Sequence, residues 1–95
     1  MFYYQAVDFE KQRWVARPGK RYEMSANIIK SHMLIGKTKD QVKALLGKDD
    51  SNSNNSHSNT WFYYLGIIPG FAIDPDMLYI EFNNGKVAKV RQDPG

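Results

Sequence analysis

Gly36-Lys37-Thr38-Lys39-Asp40-Gln41-Val42-Lys43-Ala44-Leu45-Leu46-Gly47 reads as one short helix with both of its ends written out. Thr38 can cap the start through its hydroxyl, accepting from the Gln41 amide. Gln41, three residues on, can reach back to the Thr38 amide and complete a capping box. Val42, Leu45 and Leu46 fall at i, i+3 and i+4, a single apolar stripe. Gly47 then supplies a left-handed residue after the last turn at no Cβ cost.

Upstream of this helix the pattern is less regular. Met24, Ile28, Ile29, Met33 and Leu34 recur at helical spacing, with Lys30 and Ser31 on the other side, and predict a first helix over residues 23–34. Ile35-Gly36 breaks it, so the two helices are antiparallel or steeply angled neighbours. Residues 1–20 mix Phe2, Tyr3, Tyr4, Phe9 and Trp14 with charges and show no clean period. Tyr3, Gln5, Val7 and Phe9 could form one side of a strand. Pro18-Gly19 is a turn signal that separates this N-terminal arm, residues 1–20, from a domain over residues 21–95.

Downstream, residues 49–59 hold only polar side chains and predict an exposed, mobile loop, with His57 as a solvated member. From Thr60 the period changes to two. Trp61, Tyr63 and Leu65 alternate with Phe62 and Tyr64. Leu78, Ile80 and Phe82 alternate with Met77, Tyr79 and Glu81, and Asn84-Gly85 is a strong hairpin signal before a return strand over residues 86–91. Two helices followed by a three-stranded antiparallel meander (αα-βββ) imply an α+β two-layer sandwich.

Composition agrees with one small globular domain. Ninety-five residues are too few for two cores, and a hydrophobic content of 42% argues against disorder. The net charge of +3 is uneven: residues 1–37 carry seven Lys/Arg against three acids, the rest six against seven. Arg13, Arg17, Lys20 and Arg21 are the densest cluster, read as solvated surface. The chain has no cysteine, which excludes disulfides, cysteine zinc sites and thiol catalysis. Met1-Phe2-Tyr3-Tyr4 has neither a basic start nor a long apolar run, so an exported form would carry its leader and any lipid-bearing cysteine ahead of these residues.

No catalytic or metal-binding constellation emerges. His32 and His57 are the two histidines, one in a helix and one in the polar loop, and neither belongs to a recognised motif. Asp74-Pro75-Asp76 offers two carboxylates where calcium takes six to eight oxygens, so it reads as a capped turn. Residues 66–70 lack the lysine and helix start of a phosphate loop. Nucleic acid is also disfavoured, because Lys43, Lys86 and Lys89 are scattered rather than interleaved with Phe62, Tyr64 and Tyr79, and acids balance them in this half of the chain. No cofactor is expected.

The strands leave one question open. Trp61, Tyr63, Leu65, Leu78, Ile80 and Phe82 are assigned to the face beneath the helices. Phe62, Tyr64, Met77 and Tyr79 then lie on the opposite face, a patch that needs a cover. That cover is either the chain's own residues 1–20 or a partner, protein or lipid headgroup. The third strand is an edge guarded by Lys86, Lys89 and Arg91. The first, residues 60–65, has no charge anywhere between Thr60 and Leu65, which invites the arm or a second chain to add as a strand.

The motif order resembles the SmpA/OmlA (BamE-like) family over residues 33–91. The carriers are the helix with Gly36, Thr38, Gln41, Val42, Leu45, Leu46 and Gly47, then Thr60-Trp61-Phe62-Tyr63, then Leu78-Tyr79-Ile80-Glu81-Phe82-Asn83-Asn84-Gly85-Lys86-Val87. Lys37 stands where that family usually has methionine. The resemblance implies a non-enzymatic domain on the periplasmic or extracellular side of the bacterial envelope, often lipid-anchored. It further implies contact with a protein partner, as in accessory lipoproteins of outer-membrane β-barrel assembly. Related inhibitor domains bind proteins through the sheet, so the alternative function is a secreted inhibitor or sensor capturing a protein or small ligand. The matching positions are structural: caps, core residues such as Trp61 and Tyr63, and the Asn84-Gly85 turn.

Overall fold

In the computed structural model, which describes residues 6–51, 59–69 and 74–94, the reciprocal cap is present. The Gln41 amide donates to Thr38 Oγ1 at 3.2 Å, and the Thr38 amide donates to Gln41 Oε1 at 2.9 Å. The helix it starts, Lys39–Leu46, is the third α-helix of the chain, after Lys11–Ala16 and Tyr22–Ser31. These are α1 (Lys11–Ala16), α2 (Tyr22–Ser31) and α3 (Lys39–Leu46). Gly47 has φ 81 and ψ −169, so it is not the left-handed helical residue expected but sits in a region essentially reserved for glycine.

α2 is shorter than its apolar spacing predicts. His32 turns left-handed at φ 55, and Leu34, fully buried, lies in the turn beyond. The reason is tertiary. Ending there lets the next residues run extended beside the last strand, where the Gly36 amide donates to Val87 O and the Val87 amide to Lys37 O, both at 2.8 Å. Two backbone bonds to the sheet thus take the place of continued helix, tertiary context overriding the local periodicity.

The strands are β1 (Thr60–Gly66), β2 (Asp76–Asn83) and β3 (Lys86–Pro94), antiparallel in the order β1-β2-β3. Asn84 (φ 53) and Gly85 (φ 79) form the two-residue turn between paired Asn83 and Lys86, as the dipeptide demands. Trp61, Tyr63, Leu65, Leu78, Ile80 and Phe82 are all buried beneath the helices. The architecture is α+β, helices on one face of a three-stranded meander.

The N-terminal segment departs from expectation. Among its described residues no strand forms; Tyr3 and Gln5 lie outside them. Val7 instead donates to Glu23 O at 2.8 Å and Phe9 to Asn27 Oδ1 at 2.8 Å, so residues 7–9 run along α2. α1 was unmarked in sequence because six residues with one buried member, Trp14, show no period. A 3-10 turn, Pro18–Lys20, then packs on β1. The approach is close enough that a Cβ on Gly66 (φ 96) would stand 2.1 Å from Gly19 O.

Candidate protein-contact face

Strand alternation sorts the two long strands into a buried and an outer set. The outer set is brought together as two directly opposed pairs, Phe62 with Tyr79 and Tyr64 with Met77. All four are half-buried. The Phe62 and Tyr79 rings lie 6.0 Å apart at 50°, a tilted contact typical of cross-strand aromatics.

Arg91 completes this face from β3. It stands opposite Tyr79, with its guanidinium carbon 4.4 Å from that ring's centroid. Its Nε donates to Glu81 Oε2 at 3.1 Å, and Nη1 pairs with Asp93. Sequence reasoning placed Arg91 as an edge guard only. A bulge between Glu81 and Phe82 shifts the β3 register by one residue, which puts Arg91 rather than Val90 opposite Tyr79. The signal available was the three-residue spacing of Val87 and Val90. Both turn toward the core, which a strand of period two allows only across a bulge.

The described part of the N-terminal arm does not cover this face. Trp14 goes to the opposite side, wholly buried against Tyr63. Its indole donates to Leu46 O at 3.0 Å, and the Tyr63 hydroxyl donates to Gly47 O at 2.8 Å. Burial, reinforced by the nearby Asp49 and Asp50, pushes the Tyr63 hydroxyl well above the usual phenol range, with Arg21 opposing. It therefore stays protonated as a donor and is no candidate for acid-base work.

Two further expectations are corrected. Arg21, from the supposedly solvated basic cluster, is only 8% exposed. It donates to Trp14 O at 2.9 Å and to Asp50 Oδ2 at 3.4 Å, with its guanidinium 4.8 Å from the Trp14 ring. Burial lowers its pKa and Asp50 works against that. The edge of β1 is likewise not bare. The Phe62 amide donates to Ser51 Oγ at 2.9 Å, the Asp50 amide to Phe62 O at 2.8 Å, and the Tyr64 amide to Asp50 Oδ2 at 2.8 Å. The start of the polar loop thus fills the place foreseen for another chain, and Asp49 is buried there rather than exposed. His57 lies outside the described residues.

Among the described residues no cluster of three or more His, Asp or Glu side chains is placed to hold a metal ion, and no helix is long and apolar enough to cross a membrane. Asp76 accepts from Gln92 Nε2 at 2.8 Å, a structural tie at the start of β2.

Residues 31–92 match a family model described as the outer membrane protein assembly factor BamE domain. The matched span opens at the end of α2 and takes in α3, β1, β2 and all but the last two residues of β3; α1 precedes it. A search among curated proteins gave no match.

Proposed function

The chain belongs to the BamE domain (SmpA/OmlA) family of non-catalytic outer membrane protein assembly factors, and on that premise we propose that it is a protein-interaction module of the bacterial outer membrane and periplasm. Its contact surface is the outer sheet face of Phe62, Tyr64, Met77 and Tyr79, with Arg91 at the side of Tyr79. Its partner belongs to the machinery that assembles outer membrane proteins. A lipid anchor on a preceding segment would hold it beside the membrane.

The observation that carries this reading is the direction of Trp14. The largest aromatic of the described N-terminal segment fills the core side, so that segment leaves the opposite aromatic face half-exposed. Aromatic rings with an adjacent arginine are the side chains that dominate protein-protein contacts. In this setting Glu81 and Asp93 hold the arginine over Tyr79, so little side-chain entropy remains to be lost on binding.

The test replaces Phe62 and Tyr64 by serine, singly and together, and recovers the tagged protein from outer-membrane extract after cross-linking. Loss of cross-links to β-barrel assembly components, with the protein still folded, supports the reading. Undiminished cross-linking by the folded double variant overturns it.

A further inference from the structure

The β3 edge of the sheet is open along part of its length. In an antiparallel ladder successive residues turn their backbone groups to alternate sides. Phe82 donates to Asn59 O, toward β1, so Ile80 and Leu78 also face β1, while Tyr79 and Glu81 face β3. In β3 the partners of Ile80 and Leu78, Val90 and Gln92, therefore turn their amide and carbonyl groups outward. Val87 faces outward too, but Gly36 and Lys37 meet it. Among the described residues no segment bonds to the outward groups of Val90 and Gln92.

Beside this edge lies an apolar groove of about 230 Å³. Ile28 and Ile29 of α2 and Ile35 form one wall, Ala88 and Val90 the other. Ile35 is 44% exposed. His32 and Lys89 are the ionisable residues in the lining, and no acid is among them. An unpaired strand edge next to a helix-walled groove is what strand addition requires: backbone bonds hold the guest, and its alternate side chains enter the groove.

We propose that this edge and groove bind a short, extended, acidic segment of a partner protein, which adds to β3 as a fourth strand. The groove lies on the helix side of the sheet, while Lys89 stands beside Arg91 at the margin of the outer face. The length of the site is set by the Gly36–Lys37 pairing at Val87 and by Pro94, which has no amide to offer. Residues 88–93 remain, and at about 3.4 Å per residue they accommodate roughly 20 Å of guest strand.

Charge selects the guest. Among the described residues neither Lys86 nor Lys89 has an ion pair, whereas Arg91 is engaged by Glu81 and Asp93. A glutamate or aspartate on the guest would meet Lys89. A second copy of this chain fits poorly. Pairing centred on Val90 sets Lys89 of each copy opposite Arg91 of the other, and like charges in that position are destabilising.

The experiment titrates isotope-labelled protein with an acetylated, amidated heptapeptide alternating glutamate and valine, followed by amide NMR. A lysine-valine peptide of the same length is the control. The expected result is shift and exchange protection at Val90 and Gln92 with the acidic peptide alone. Val90→Pro should abolish it, since an outward amide is dispensable to the sheet but needed by the guest. Lys89→Glu, which leaves the backbone intact if the proline variant fails to fold, should weaken the acidic peptide about tenfold. No response at about 1 mM peptide, the weak end of measurable affinity, overturns the proposal. Equal response to both peptides, or response confined to Phe62 and Tyr79, also overturns it. So does protection of Val90 in the free protein that grows with concentration, which would assign the edge to a second copy.

Discussion

Trp14 and Tyr63 meet edge to face, 6.0 Å apart at 61°, and donate to consecutive carbonyls, Leu46 and Gly47, at the end of α3. Terminal carbonyls of a helix lack partners within it. Here two aromatic side chains, one from α1 and one from β1, supply them. Replacing Tyr63 by phenylalanine should cost about 1–2 kcal/mol, and Trp14→Phe about 2–4 kcal/mol because the difference in volume between an indole and a phenyl ring is emptied as well. Urea unfolding gives both values. The double variant should depart from additivity by about 0.5 kcal/mol or more, since the rings touch.

Alkaline titration offers a second check. The Tyr63 hydroxyl is held above its ordinary value in the folded protein. Between the unfolded phenol value, about 10, and the folded one, the unfolded chain has released a proton that the folded chain keeps. Its contribution is full below pH of about 10 and is lost as pH climbs above it. Tyr63→Phe should therefore flatten the fall in stability above that pH. Phenolate absorbance should show less late ionisation in Tyr63→Phe than in the unaltered protein, the difference being the phenol held above its ordinary value.

Two glycines with similar φ should respond differently to alanine. Gly47 (φ 81) has open space where a Cβ would go, so Gly47→Ala should cost only the backbone strain, about 1–3 kcal/mol. Gly66 (φ 96) faces Gly19 O at 2.1 Å from the added carbon. Gly66→Ala should exceed about 4 kcal/mol or prevent folding, as rigid backbone stands on both sides of the clash. Thermal melts of the two variants side by side separate the effects.

Deleting Ala88 tests the bulge. Ala88 is the unpaired residue, so its removal should leave Lys89 opposite Glu81, Val90 opposite Ile80 and Arg91 opposite Tyr79 on a regular ladder. The shortened chain should fold with the Phe62–Tyr79 pair and its arginine neighbour kept. An unchanged near-ultraviolet circular dichroism spectrum checks this.

The parts of the fold legible in sequence were those governed by local chemistry. Thr38 and Gln41 are three residues apart and need nothing else to cap a helix. Asn84-Gly85 needs only its own φ values. Strict alternation put Phe62, Tyr64, Met77 and Tyr79 on one side with no knowledge of the helices. What stayed hidden depends on distant residues. α2 stops at His32 because Val87 draws Gly36 and Lys37 away. Arg91 reaches Tyr79 only through the bulge. Asp50 and Ser51, in a run with nothing apolar to anchor it, bind the backbone of Phe62 and Tyr64.

The two segments that flank α3 hold opposite margins of the sheet. Gly36 and Lys37, before the helix, bond to Val87 on β3; Asp50 and Ser51, after it, bond to Phe62 and Tyr64 on β1. α3 is thus tethered across the sheet like a strap buckled on both sides. The lie of α3 over the strands is therefore set by hydrogen bonds beyond both of its ends as well as by Val42 and Leu46 buried beneath it, so neither end can fray without giving up bonds to the sheet.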